Sequence, residues 1–191
     1  MKPKNRRILN IITTIFIFHA AGVILVSCMA LVKMHSIGPD EGYLVKIGEQ
    51  APDDFQLKLT DGTTTTLKSL RGKVVVLQFA ASWCKVCREK APLLDSALWQ
   101  PYKDKNFMLI AVDRNEPLLK AIKFKSDIKI NYPMALDPGA DIFGKFASKR
   151  SGVSKDIVID QNGKIVFESG PYDEKDFEHM VDVVKSLLSK S

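Results

Sequence analysis

Hydrophobic residues divide the chain into a long apolar segment at the N-terminus and a region of shorter runs from Val45 onward. In the second region, the run Val74–Phe79 contains one polar residue, Gln78, and the run Phe107–Val112 contains none. Continuous apolar runs of this length are typical of parallel strands that are buried on both faces of a sheet. We therefore predict two central parallel strands at these positions.

Two pairs of shorter runs predict β-hairpins. Residues 55–59 alternate between apolar and polar, and a Thr-Asp-Gly turn separates them from the threonine-rich residues 63–67. Residues 157–160 and 165–167 flank an Asn-Gly turn, which favours a tight antiparallel connection.

Apolar residues at helical spacing predict four helices. They cover residues 85–99, 118–130 and 137–149, and a last segment that Asp173 can cap. The element order is ββ–βαβαα–ββα. This order predicts an α/β sandwich whose central strands are parallel.

The N-terminal segment predicts attachment to a membrane. Four cationic residues precede a largely apolar run of 25 residues, Ile8–Val32, and about 20 apolar residues span a bilayer. Positive charge ahead of the run keeps that end in the cytoplasm, so the rest of the chain is exported. We expect a signal or anchor over residues 1–33, a linker over residues 34–44 and a folded domain over residues 45–191.

Cys28 lies inside the apolar run and allows three alternatives. Leu25–Cys28 resembles a lipobox, the bacterial signal whose cysteine is lipidated and becomes the first residue of the mature protein. Residues 29–32 stay apolar, which favours an uncleaved anchor instead, and cleavage with secretion is the third alternative. Both attached forms place the domain on the periplasmic side of a bacterial membrane, tethered by residues 8–32 or by lipid on Cys28. Disulfides persist in that compartment only where other proteins control their oxidation and reduction.

The charge distribution argues against nucleic-acid binding. The formal net charge is +6. Five of the 28 basic residues lie in residues 1–33, which contain no acidic residue, so 23 basic and 22 acidic residues remain. The folded part is therefore about neutral and shows no basic stripe that would follow phosphates, and we expect no nucleic-acid partner.

Cys84 and Cys87 form a CxxC motif directly after the first predicted central strand. A helix that starts at residue 85 places Cys84 at its N-terminus, where free N–H groups and the helix dipole stabilise a thiolate. The cation of Lys85 adds to this effect, and the lower thiol pKa makes Cys84 a better nucleophile. Cys87 lies on the same helical face, where it can attack a mixed disulfide on Cys84. The first thiol must be exposed and the second sheltered.

Three other uses of the cysteines are possible. A structural zinc site needs four ligands, but after Cys87 the chain has no further cysteine and only one histidine, His179. A purely structural disulfide would close a very small loop and gain little loop entropy. Capture of copper(I) by the two thiolates is a further alternative that the sequence does not exclude. A redox couple that turns over is the use that the residues favour.

Several stretches, in order over Val45–Leu188, resemble the TlpA/ResA-like, AhpC/TSA-related group of membrane-tethered bacterial thiol–disulfide oxidoreductases. They are IGEQAP (47–52), LRGKVV (70–75), FAASWCKVCR (79–88), Pro92 and IVIDQNGK (157–164). The resemblance implies a thioredoxin-like three-layer sandwich with a mixed central sheet, an N-terminal β-hairpin extension and the N-terminal membrane segment.

By the same resemblance, Cys84 and Cys87 form the redox-active disulfide. Cys84 is then the attacking thiol, Cys87 the resolving thiol and Trp83 the flanking aromatic residue. The resemblance also implies a monomer without cofactor or metal, which acts on thiols and disulfides of exported proteins and receives electrons from a membrane donor. Tethered relatives mostly reduce their substrates, so we expect a reductant.

The sequence departs from the family at positions that matter for proton transfer. Gln78 stands where many thioredoxins carry a buried aspartate, and Lys90 stands where ResA-like members carry a glutamate. Glutamine cannot accept a proton at neutral pH. We expect water to carry the proton, or Asp156 if its loop folds over the site; a solvated loop acid is the alternative for Asp156.

Ser154 takes the place of the family's cis-proline. A non-proline cis bond costs roughly 2.5–4 kcal/mol, so we predict a trans peptide before Ser154 and a reshaped substrate groove. We count Trp83, Lys85, Gln78 and Ser154 as supporting residues. For Asp113–Pro117 we expect a solvated turn, with a lining of the groove as the alternative.

Two rival functions fit the residues less well than dithiol–disulfide exchange. A peroxidase of the peroxiredoxin type needs a threonine or serine where this chain has Ala81, and an arginine where Lys155 is the nearest residue. A copper carrier of the Sco type would show CxxxC and a histidine facing it, and His179 is poorly placed for that.

Overall fold

The computed structural model describes residues 42–189, and in this part of the chain seven strands form one mixed sheet in the order β2-β1-β5-β4-β3-β6-β7. The strands are β1 (Leu57–Leu59), β2 (Thr64–Thr65), β3 (Val74–Ala80), β4 (Phe107–Arg114), β5 (Met134–Asp137), β6 (Lys155–Ile159) and β7 (Ile165–Ser169). The α-helices are α1 (Lys85–Leu94), α2 (Gln100–Tyr102), α3 (Leu118–Asp127), α4 (Phe143–Phe146) and α5 (Glu174–Leu188).

The two apolar runs form parallel neighbours at the centre of the sheet, as predicted. The pairing of β3 with β4 extends from Val74 opposite Phe107 to Ala80 opposite Asp113. Every residue of β3 is buried, because other elements cover both faces of the sheet. The carboxyl ends of β3 and β4 therefore meet at one edge, and α1 and α3 begin there.

The helix that follows the CxxC motif changes its winding after Pro92. Proline has no N–H to donate to the preceding turn, and a π-helical turn over Asp95–Trp99 follows α1 before α2 continues the same segment. The predicted helix over residues 85–99 is confirmed, with one widened turn.

The prediction of a helix over residues 137–149 was wrong. Met134–Asp137 forms β5, which pairs with β4 in parallel, and only Phe143–Phe146 is α-helical. The carboxylate of Asp137 accepts hydrogen bonds from the backbone N–H groups of Ile142 and Phe143, both at 2.8 Å. Asp137 thus ends the strand and holds the start of the short helix α4.

Contacts with the folded part of the chain extend into the predicted linker. Tyr43, placed in the predicted linker, pairs with Ala147, and its hydroxyl donates to the carbonyl of Ser169 at 2.6 Å. Within residues 42–189, no helix is both long and apolar enough to cross a bilayer. The predicted membrane segment and Cys28 lie outside the described residues.

Candidate active site

Cys84 and Cys87 form a disulfide at the junction of β3 and α1. Cys84 is the N-cap of α1, and its Sγ accepts a hydrogen bond from the backbone N–H of Cys87 at 3.2 Å. The N–H of Cys84 donates to the carbonyl of Ala81 at 3.0 Å, which closes a turn after β3. One of the first N–H groups of the helix, that of Cys87, therefore points toward the sulfur of Cys84.

The two cysteines differ in exposure. Both are largely buried, but Cys84 retains 9% of its accessible surface and Cys87 only 1%, so the exposure expected of the first thiol is slight. Trp83, directly before Cys84, is 65% exposed. A protein substrate therefore reaches the sulfur of Cys84 more readily than that of Cys87, and it meets the indole of Trp83 beside it.

Lys85 extends into solvent. Its ammonium group lies 3.9 Å from the carboxylate of Glu89, one helical turn onward. Exposed pairs of this kind contribute little free energy, so the backbone N–H groups, rather than Lys85, provide the fixed electrostatic influence on Cys84.

Gln78 is buried beneath α1. Its Oε1 accepts a hydrogen bond from the hydroxyl of Tyr132 at 2.5 Å, and the same hydroxyl lies 3.4 Å from the carbonyl of Ala91 in α1. Burial raises the pKa of Tyr132 well above its ordinary value, so this hydroxyl remains a donor. Tyr132, which the sequence analysis did not identify, links the central strand to the helix of the cysteines.

Asp156 is not the solvated loop acid that the sequence allowed. Strand β6 begins at Lys155, and Asp156 is fully buried opposite Gln78 of β3. The ammonium group of Lys90 lies 2.7 Å from the Asp156 carboxylate, and the hydroxyl of Ser169 donates to the same oxygen at 3.0 Å. A buried ion pair thus lies beneath α1.

The position of Lys90 contains the signal that could have revealed this pair. Lys90 follows Cys87 by three residues and precedes Ala91, and all three are buried. Lysine is almost never fully buried without a partner. A lysine on the apolar face of this helix therefore indicates a buried acid nearby. Asp156 fits that role in the sequence, because it directly precedes the apolar run Ile157–Ile159.

Ser154 lies one residue before β6 and is 7% exposed. No cis peptide occurs in residues 42–189, so the predicted trans bond before Ser154 is confirmed. Arg114 fixes the preceding loop, since its guanidinium donates to the carbonyls of Ser151 and Lys149. The guanidinium also stacks 4.2 Å from the ring centre of Phe143.

The expectation of a solvated turn over Asp113–Pro117 was wrong for its two acids. Asp113 and Glu116 are both buried. Both oxygens of the Glu116 carboxylate accept hydrogen bonds from Ser82, two residues before Cys84. This loop therefore supports the active-site turn from the β4 side.

A disulfide-forming CxxC motif at the start of a helix, after the central strand of a mixed sheet, defines a thioredoxin-fold thiol–disulfide oxidoreductase. Residues 47–168 match the AhpC/TSA family, and the chain belongs to this family.

Individual relatives agree with this class. The chain is 33% identical to a thiol-disulfide oxidoreductase ResA of Bacillus cereus over 122 residues, 64% of this chain and 68% of the relative. The solution structure of a candidate protein disulfide isomerase from Bacteroides thetaiotaomicron is 47% identical with a TM-score of 0.75, and the match covers 78% of this chain and 93% of that one. The crystal structure of a candidate thiol:disulfide interchange protein DsbE from Chlorobium tepidum is 28% identical with a TM-score of 0.65. That match covers 75% of this chain and 99% of the other.

Proposed function

We propose that this protein is an exported, membrane-tethered reductant that exchanges disulfides with other exported proteins through Cys84 and Cys87. The observation that carries the assignment of roles is the difference in exposure between the two cysteines at the start of α1. Cys84 is the attacking thiol and Cys87 the resolving thiol.

The cycle is a two-electron exchange. The thiolate of Cys84 attacks one sulfur of a substrate disulfide, the substrate S–S bond breaks, and one substrate thiolate leaves. The thiolate of Cys87 then attacks the Sγ of Cys84, the mixed disulfide breaks, and the second substrate thiolate leaves. The substrate has gained two electrons and binds two protons, and the Cys84–Cys87 disulfide must be reduced again by a membrane donor.

Backbone geometry favours the first step. In the oxidised protein, the N–H of Cys87 already points to the Sγ of Cys84 at 3.2 Å. After reduction the same N–H and the positive end of α1 stabilise the thiolate, which is the nucleophilic form. Trp83 offers an exposed aromatic surface for an extended substrate segment.

Asp156 is our candidate for the group that accepts the proton of Cys87. One of its carboxylate oxygens binds Lys90 and Ser169, and the other makes no hydrogen bond within residues 42–189. Lys90 lies one helical turn after Cys87 and holds Asp156 beneath the helix.

Trapping of mixed disulfides tests the proposal. Cys87→Ser leaves a mixed disulfide on Cys84 unresolved, so cells that express this variant should accumulate covalent complexes with exported proteins on non-reducing gels. Cys84→Ser should give few such complexes. Equal trapping by both variants would contradict the assigned roles, and absence of trapping by Cys87→Ser would contradict exchange with proteins.

The tether rests on residues 8–32 or on lipid attached to Cys28. Mass spectrometry of the purified full chain distinguishes them, because a lipidated form begins at Cys28 and carries the added acyl mass. Cys28→Ser should release the domain from lipid attachment but leave an uncleaved anchor in the membrane. Recovery of the wild-type chain in the soluble fraction would contradict both forms of tether.

A further inference from the structure

Glu116 fixes the turn that leads to Cys84. Its carboxylate accepts hydrogen bonds from the backbone N–H of Ser82 at 2.6 Å and from the hydroxyl of Ser82 at 2.7 Å. The ammonium group of Lys120 lies 2.5 Å from the same carboxylate. Glu116 is 5% exposed, so its two hydrogen bonds with Ser82 are sheltered from water, and they set the path of the chain two residues before the nucleophile.

Asp113 interacts with this carboxylate through charge and a side-chain hydrogen bond, and it has no exposed surface. Asp113 is the last residue of β4 that pairs with β3. Its partner there is Ala80, which lies four residues before Cys84. Neither of its oxygens receives a hydrogen bond from an N–H or O–H group within residues 42–189. An ionised carboxylate is costly in such a place, whereas a protonated one can donate its hydrogen to Glu116.

The charges around Asp113 favour its protonated form. Burial is the largest cause that raises the pKa of Asp113 to about 7, and the negative charge of Glu116 is the second. Asp137 at the end of β5 also raises this pKa, whereas Lys120 in α3 lowers it. Burial alone would raise the pKa of Glu116 as well, but hydrogen bonds from Lys120 and Ser82 outweigh it and lower that pKa. From α1, Arg88 donates to the carbonyl of Ser82 at 3.2 Å.

We propose that Asp113 and Glu116 form a proton-sharing carboxyl pair that positions the turn of Cys84 and responds to the redox state of the cysteines. With one proton, Asp113 donates to Glu116, and Glu116 keeps its two hydrogen bonds to Ser82. Without that proton, two negative charges lie side by side and weaken the hold on Ser82. Both are positioning residues, since neither touches the reacting sulfur atoms.

The redox coupling follows from charge. Reduction creates a thiolate on Cys84, two residues after the Ser82 that Glu116 holds, and a negative charge in that turn favours the protonated form of an acid beside it. Such coupling is reciprocal, so the proton on Asp113 also favours the thiolate. This step rests on the proposed role of Cys84, whereas the carboxyl pair itself does not.

NMR of the intact chain tests the coupling. The side-chain carboxyl carbon of Asp113 is followed in the full-length protein in detergent micelles, oxidised and then reduced with dithiothreitol, and Asp113→Asn assigns the signal. We expect a midpoint near pH 7 in the oxidised protein and a midpoint higher by about half a pH unit or more in the reduced one. A midpoint in the ordinary range of aspartate, or identical midpoints in the two states, would overturn the proposal.

Alkylation of Cys84 tests the positioning role. In the reduced full-length chain, mass spectrometry quantifies the iodoacetamide adduct on the peptide that contains Cys84 as a function of pH. Glu116→Gln loses one of the two acceptors for Ser82 and should change the alkylation rate severalfold and shift its pH midpoint. Glu178→Gln, on the exposed surface of α5, should match the wild type, and Glu116→Asp should recover part of the effect.

The possible outcomes separate this proposal from the proposed function. A Glu116→Gln profile that superimposes on the wild type would overturn the positioning role, while mixed-disulfide trapping by Cys87→Ser would be unaffected. If Glu116→Gln does not fold, the NMR titration of the wild-type chain still decides whether the pair holds a redox-coupled proton.

Discussion

The ammonium group of Lys90 lies 2.7 Å from the carboxylate of Asp156, and both side chains are buried between α1 and β6. Removal of one partner from a buried ion pair leaves an uncompensated charge. Lys90→Met should therefore lower the free energy of unfolding of the oxidised protein by about 3–5 kcal/mol, measured by chemical denaturation.

The matched control is Lys123→Met, which removes a lysine from an exposed pair with Asp127 and should cost about 1 kcal/mol or less. Adding Asp156→Asn to Lys90→Met should restore part of the lost stability, because the unpaired charge is gone. If the double variant were less stable than Lys90→Met alone, the buried charge would not be the cause.

Asp113 makes stability depend on pH. The folded protein holds the Asp113 proton up to about pH 7, whereas the unfolded chain loses it near 3.8. The folded state binds more protons between these values, so its stability falls as the pH rises from about 4 to 7 and then levels off. The loss is about 4 kcal/mol at most.

Asp113→Asn replaces the protonated acid by a neutral amide and should remove this fall. Denaturant midpoints at pH 5 and pH 8 measure it, with the exposed Asp104→Asn as the control. A variant whose stability between these two pH values falls as much as that of the wild type would contradict the buried, protonated state of Asp113.

Tyr132→Phe should lower the stability by about 1–2 kcal/mol, because the buried Oε1 of Gln78 loses its donor. Thermal or denaturant unfolding measures the change. Tyr102→Phe, a change at a half-buried tyrosine on α2, should alter stability by about 0.5 kcal/mol or less. Equal effects of the two changes would mean that the Tyr132 hydroxyl does not stabilise the strand–helix junction.

The sequence predicted the parts of the fold that depend on local pattern. The apolar runs of β3 and β4, the CxxC motif at the start of α1 and the cap of α5 by Asp173 were all recognisable. Strand β5 was missed, because no hairpin turn joins its four residues to a strand that it pairs with. Its identity as a strand comes from pairing with β4 on one side and β1 on the other.

The contacts among the polar groups beneath the site could not be predicted in the same way, although Lys90 on the apolar face of α1 indicated a buried acid. Lys90, Asp156 and Tyr132 are far apart in the chain, and their burial depends on how α1 lies on β3 and β6. The sequence around Glu116 indicated a solvated turn, because its neighbours are polar and proline follows it. Its contacts with Ser82 arise only because β3 and β4 end at the same edge.

The reduction potential of the Cys84–Cys87 couple tests the proposed function most directly. The full-length chain in detergent is equilibrated with dithiothreitol or glutathione buffers of known potential, and the oxidised fraction is quantified by thiol labelling of the Cys84 peptide. A reductant predicts a value of about −250 mV or lower, close to thioredoxin. A value of about −120 to −180 mV, in the range of oxidants and isomerases, would contradict the proposed direction.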